Sequence, residues 1–111
     1  MEIIGLGTDV VLNHRLKKSN KFITKFLSKK EYEIYSSLNY QNRKEFVSGR
    51  WAAKEAIVKA TNKKYMYSEI TILNNSKGKP EVLINNLQTK DIIISISHEK
   101  RYTIATAIVV E

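Results

Sequence analysis

Apolar residues change their period along this chain, and each change marks a new element. Ile3, Ile4, Leu6, Val10, Val11 and Leu12 form a run rich in β-branched and aliphatic residues that closes on polar Asn13-His14. It predicts an opening strand over residues 2–12 that carries Gly5, Gly7 and Asp9. From residue 15 to 38 the apolar positions are Phe22, Ile23, Phe26 and Leu27, then Tyr32, Ile34, Tyr35 and Leu38, which predicts two short amphipathic helices. Ser28 followed by Glu31 supplies a capping box between them. A longer helix is expected from Asn39 or Asn42 to about Thr61, where Asn62-Lys63-Lys64 ends it in polar residues. On it, Phe46, Gly49, Ala53, Ala56, Ile57 and Ala60 share one face at the 3.6-residue period, roughly opposite Glu55 and Lys59. Small residues on that face let a helix pack closely against a sheet.

After the long helix the period becomes two. Residues 68–73 read as a strand, 74–80 as a turn-rich loop and 81–84 as the returning strand. A second pair follows at 92–97 and 102–110, joined by His98-Glu99-Lys100-Arg101. A strand, then helices, then several strands predicts an α+β fold, with a mostly antiparallel sheet covered by the long helix.

The chain of 111 residues is expected to form one domain over residues 1–111, with room for a core but not a deep one. An active site on it can therefore need a neighbouring subunit. Cysteine is absent, which excludes disulfides, thiolate metal sites and cysteine nucleophiles. Two histidines argue against a multi-histidine zinc site. The N-terminus lacks a basic region ahead of a long apolar run, and no stretch approaches the ~20 apolar residues of a membrane span, so a soluble, cytoplasmic protein with no membrane association is expected. The formal net charge of +8 implies attraction to a polyanion: nucleic acid, a phosphorylated small molecule or an acidic protein. Lysines scattered over a surface also keep a small protein soluble.

Three separated features carry candidate chemistry. Asp9 is a charge in an apolar strand, costly to bury unless paired or bound to a cation; a strand-end residue capping the next turn is the plain alternative. Glu55 and Lys59 stand one helical turn apart, which fits either a solvated ion pair or a metal ligand followed by a phosphate contact. Asp9 with Glu55 supplies the hard oxygen ligands that magnesium prefers, and Lys59 lies where it can neutralise a phosphate held by the same ion. Arg50 and Lys54 form another i, i+4 pair on a different face, placed to reach a second phosphate or to face water. Ser97-His98, at the end of an apolar strand, fits a phosphate or ribose contact, or a loop histidine without a role. The segment from Asn75 to Pro80 lacks the glycine spacing of a nucleotide-binding P-loop and equally fits a β-turn around Gly78.

These residues, in this order and spacing, resemble the holo-acyl-carrier-protein synthase family, the short trimeric class of 4′-phosphopantetheinyl transferases. The likeness is carried by Ile4-Gly5-Leu6-Gly7-Thr8-Asp9, the helical stretch from Phe46 to Ala60, Gly78-Lys79-Pro80, and Ser95-Ile96-Ser97-His98 followed by Tyr102. It spans nearly the whole chain. The resemblance implies that family's fold, and a magnesium-dependent transfer of 4′-phosphopantetheine from coenzyme A to a serine of apo acyl carrier protein, releasing adenosine 3′,5′-bisphosphate, as in fatty acid biosynthesis. It implies Asp9 and Glu55 as metal ligands, with Lys59 beside the pyrophosphate as the third catalytic residue. Arg50, Gly78, Lys79, Pro80, Ser97 and His98 fall on segments that contact coenzyme A. Arg15 matches an arginine that meets the acidic carrier protein, with Lys17, Lys18 and Lys21 adding a general positive field. The family's homotrimer builds each site at a subunit boundary.

One departure stands out: Leu12 occupies a position where the family usually has glutamate, so any contact made by that side chain is missing or supplied otherwise. Trp51 replaces the usual phenylalanine, an aromatic exchange that preserves packing. Glu55 is the nearest candidate base for the carrier serine, and the sequence does not separate that role from metal ligation. The rival reading is a small basic nucleic-acid-binding module, with six tyrosines and Trp51 as stacking groups. It leaves Asp9 and Glu55 unexplained, because carboxylates on a binding face repel phosphate, and nucleic acid is not the expected partner.

Overall fold

A computed structural model describes residues 1–16 and 19–111; Lys17 and Lys18, expected to add to the basic field, lie outside the described residues. The chain runs through β1 (Ile3–Leu12), a 3-10 turn (Asn13–Arg15), α1 (Asn20–Phe26), α2 (Lys29–Ser37) and α3 (Tyr40–Thr61). A second 3-10 turn (Tyr67–Glu69) leads into β2 (Ile70–Asn74), β3 (Pro80–Ile84), β4 (Leu87–Thr89), β5 (Ile92–His98) and β6 (Tyr102–Val110). The fold is α+β, and every strand pairing is antiparallel. The strands make two three-stranded sheets, β1-β6-β5 and β2-β3-β4, where the periodicity predicts a single one. The short strand β4 has no counterpart in the expected elements. It returns from β3 through Asn85 and Asn86, both at positive φ (50° and 68°), the two-residue hairpin geometry that asparagine tolerates.

Local chemistry sets the helix ends. Asn39 Oδ1 accepts from the Asn42 amide at 2.9 Å and starts α3, so Asn39 is the cap. Asn62 closes the helix in the left-handed region, φ 55°. Between α1 and α2, Ser28 and Glu31 form the expected capping box.

Helix α3 belongs to two cores. Its first half adds Phe46 and Val47 to a cluster with Ile23, Phe26 and Leu27. Its second half packs Ala52, Ala53, Ala56, Ile57 and Ala60 against Ile70, Ile72, Ile94, Ala105 and Ala107 of the sheets. β1 crosses the helix with backbone nearly touching backbone: a Cβ on Gly5 or Gly7 would collide with the carbonyl oxygens of Ala60 and Ala56. Those carbonyls are four residues apart on one helix face, and the two glycines are two apart on one strand face. The matched spacing locks the strand to the helix and fixes where the next residue on that face, Asp9, arrives.

Lys54 departs from expectation. It is fully buried, neither on a phosphate nor in water. Its ammonium donates to Phe26 O (2.7 Å), Tyr67 O (2.9 Å) and Glu31 Oε1 (2.5 Å). Glu31, equally buried, also accepts from the amides of Ser28 and Ile72, both at 2.9 Å. Burial pulls the lysine down to about 8 while the carboxylate opposes the shift. The Phe26 and Tyr67 carbonyls on the ammonium, and the Ser28 and Ile72 amides on the carboxylate paired with it, are what make the buried charges tolerable. Among the described residues, no helix is long and apolar enough to cross a membrane.

Candidate active site

The expected site residues gather at two stations on α3. The first is built where β1 leaves its glycine contact with the helix. Asp9 Oδ1 accepts from Lys59 Nζ at 3.2 Å, and the same ammonium reaches Thr8 O at 3.0 Å. Asp9, Glu55, Arg15, Leu12, Trp51 and Tyr102 line one open cavity. Burial pushes the Glu55 carboxyl up, the Asp9 charge pushes it the same way, and Lys59 opposes both. A carboxyl whose proton affinity is raised by burial and by a neighbouring carboxylate is an arrangement that a cation relieves. The donor set is hard and all-oxygen, and among the described residues no third carboxylate, histidine or cysteine completes a larger cluster. That set fits magnesium, which takes one or two carboxylates and fills its remaining positions with water or phosphate oxygens.

The second station lies five residues back along α3, which rotates it roughly 140° around the axis. Arg50, Gly78, Pro80 and His98 line a common cleft with Asn42, Glu45 and Asn74. Arg50 is buried: its guanidinium lies 4.1 Å from the Phe46 ring centroid, and one of its nitrogens donates to Ile72 O at 2.9 Å. Its Nε has no partner among the described residues. Burial pulls this guanidinium down from its ordinary value, with Glu31 opposing. A cation held in place with a donor unspent suits an anion entering the cleft. The imidazole of His98 rests against Gly49, where a Cβ would sit 3.0 Å from Cε1. Its Nδ1 bonds Thr103 Oγ1 at 3.2 Å, and burial lowers its pKa, with Glu45 opposing and Arg50 reinforcing the shift.

Not every expected residue is brought in. Ser97 is exposed on β5 and lines neither of these cavities. The Lys79 amide instead donates to Asn75 Oδ1 at 3.0 Å, closing the β2–β3 turn. Arg15 sits with the first station, in the cavity of Asp9 and Glu55. One residue that sequence reasoning does not reach is Tyr67, whose hydroxyl donates to Glu55 Oε2. It belongs to a single turn without periodicity, and nothing in its neighbourhood signals that it meets α3.

A family model described as the 4′-phosphopantetheinyl transferase superfamily matches residues 5–107. The holo-[acyl-carrier-protein] synthase of Mycoplasma mycoides is 40% identical over 106 residues, covering 96% of this chain and 94% of that protein. That of Petrotoga mobilis is 39% identical and covers 98% of both chains. Among solved structures, the holo-(acyl-carrier-protein) synthase of Bacillus anthracis, in complex with CoA (3′,5′-ADP), superposes with a TM-score of 0.86 at 29% identity, covering 98% of this chain and 97% of that one. The Helicobacter pylori enzyme in complex with coenzyme A gives 0.76 at 26% identity, covering 95% and 99%. With the Gly-Leu-Gly-Thr-Asp strand, the Lys54-Glu55 helix and the Ser97-His98 strand end all inside the matched region, this chain belongs to the 4′-phosphopantetheinyl transferase superfamily, within its holo-[acyl-carrier-protein] synthase family.

Proposed function

We propose that the protein transfers 4′-phosphopantetheine from coenzyme A to a serine of apo acyl carrier protein and releases adenosine 3′,5′-bisphosphate. The observation that carries this is the meeting of Asp9 and Glu55 at one cavity, with Lys59 bonded to Asp9, in a chain that belongs to the holo-[acyl-carrier-protein] synthase family. In the reaction the serine Oγ forms a bond to phosphorus, the bond from that phosphorus to the departing nucleotide breaks, and the serine proton is lost. Asp9 and Glu55 would hold a magnesium ion, which when bound supplies charge neutralisation on the pyrophosphate and its leaving group. Lys59, half-exposed and paired with Asp9, adds positive charge where the leaving nucleotide becomes more negative. Glu55, made more basic by burial and by Asp9, is the candidate base for the serine proton, a role that competes with metal ligation for the same carboxylate.

Arg50 and His98, with the Gly78–Pro80 turn, fit the bisphosphate end of coenzyme A. Arg15 stands at the rim of the catalytic cavity and fits an acidic carrier protein docked over it. The two stations open on different faces of α3, so a homotrimer that apposes one subunit's Asp9 cavity to a neighbour's Arg50 cleft completes each site. The cytoplasm, where coenzyme A and carrier proteins meet, is the matching compartment.

The test is incubation with coenzyme A, magnesium and an apo carrier protein, followed by intact-mass measurement of the carrier. A phosphopantetheine adduct is expected, and Asp9→Ala or Glu55→Ala should slow its appearance about 10²- to 10³-fold while the protein stays folded. Absence of an adduct with several carriers, together with tight nucleic-acid binding at moderate salt, would replace this reading with the basic-module one.

A further inference from the structure

The hydroxyl of Tyr67 has no part in the chemistry assigned above, yet it donates to Glu55 Oε2. Tyr67 opens the 3-10 turn ahead of β2, and three residues of α3 hold it. Lys54 Nζ takes its carbonyl at 2.9 Å. Trp51 packs against its ring with centroids 5.3 Å apart at 62°, edge to face. Glu55 receives its hydroxyl. Lys54 itself is immobilised by Glu31 and Phe26 O in the buried ionic cluster, so the main chain of Tyr67 is tied to the helix before any ligand arrives.

A glutamate on a helix surface turns freely about its side-chain bonds, and each metal or substrate that uses it must freeze that motion. A fixed donor on one oxygen removes most of the freedom in advance. It commits Oε2 and leaves Oε1 as the oxygen available to a ligand. Metal-binding carboxylates are commonly held this way by an outer hydrogen bond, and removing such a partner weakens metal affinity far more than it disturbs the fold.

We infer that Tyr67 is a positioning residue: its hydroxyl orients the Glu55 carboxylate for a divalent cation shared with Asp9, and thereby sets the affinity of the site for that cation. This rests on Asp9 and Glu55 being the metal pair. Trp51 is the only tryptophan in the chain and lines the same cavity as both carboxylates, so its fluorescence reports on the site directly.

The experiment compares wild type with Tyr67→Phe, which keeps the ring against Trp51 and the carbonyl on Lys54 and removes only the hydroxyl. Manganese is titrated into each protein with coenzyme A present, followed by Trp51 quenching and by loss of the free-ion electron paramagnetic resonance signal. The expected result is a dissociation constant raised about 10-fold with an unchanged melting temperature. In turnover assays the magnesium requirement rises in the same proportion, and kcat at saturating magnesium returns close to wild type. If Tyr67→Phe binds manganese like wild type, the positioning role is overturned, whether or not its melting temperature falls. Glu55→Ala in parallel separates the two levels. Manganese binding that needs Glu55 but not the phenol sinks this inference alone; binding indifferent to Glu55 sinks the metal pair and the inference with it.

Discussion

Thr103 decides which nitrogen of His98 is spent on the protein. Its hydroxyl donates to Asn13 Oδ1 at 2.8 Å, and the Asn13 amide is oriented by its own donation to Glu99 O at 3.3 Å. With its only proton spent, Thr103 accepts from His98 Nδ1, which places the ring's remaining nitrogen, Nε2, beside Gly49. The imidazole is held below its ordinary 6.5 chiefly by burial, so the free protein favours it neutral. The sign follows from linkage: the unfolded chain binds a proton near 6.5 and the folded one resists, so this contribution to stability is fully present above that pH and is lost as pH falls through the folded value. A phosphate in the cleft adds the opposite charge and favours the imidazolium. Nitrogen-detected NMR should therefore show His98 titrating below 6.5 in the free protein and moving upward when adenosine 3′,5′-bisphosphate is added. No movement on saturation would remove His98 from the proposed nucleotide site.

At the scale of elements, α3 organises both the core and the chemistry, and how much of it was legible depends on periodicity. The face made by Ala53, Ala56, Ile57 and Ala60 is visible as a spacing, because burial on one side of a helix recurs every 3.6 residues. Lys54 is not, since a lysine in a polar-looking register gives no sign that three acceptors will converge on it from elements that are 13 to 28 residues distant. The same limit hid β4, whose three residues alternate too briefly to register, and Tyr67, whose role depends on a contact 12 residues away. The Asp9 station was legible because its residues lie on long regular elements with fixed spacing. The ionic cluster carries its own prediction. Lys54→Met or Glu31→Leu alone leaves one buried charge without its counterion, at a cost of about 3–5 kcal/mol. Lys54→Met with Glu31→Leu removes both charges, and the pair should show strong non-additivity, recovering a good part of that loss. Chemical denaturation of the three variants checks it. Single variants within experimental error of wild type would show that the cluster does not hold α1, α2 and β2 onto the helix.

At the scale of the whole molecule, the proposed homotrimer needs a surface to form on, and the outer face of the β1-β6-β5 sheet offers an apolar one. Leu6, Val10 and Ile104 remain 66%, 60% and 44% exposed, and the strand register places Val10 directly opposite Ile104 and Leu6 opposite Ile108. An apolar sheet face of this kind marks an interface, and a chain of this length gains stability by burying it. The arrangement of the site points the same way: the cavity of Asp9 and Glu55 opens on one side of α3, and that of Arg50 and His98 on another. A ring of identical subunits joined head to tail brings two different patches together at every boundary. The consequence is testable by complementation. Asp9→Ala and Arg50→Ala proteins are each prepared, shown to be nearly inactive, then mixed in equal amounts and allowed to exchange subunits. Where an Arg50→Ala subunit supplies its intact Asp9 to a neighbour whose Arg50 is intact, a complete site forms; random assortment makes this about one boundary in four. If the proposed trimer forms, light scattering gives a trimeric mass and the mixture regains roughly a quarter of wild-type activity; Leu6→Glu in both parents should abolish both. A mixture no more active than its parents, in trimers proven to exchange, would show that each site is built within a single chain.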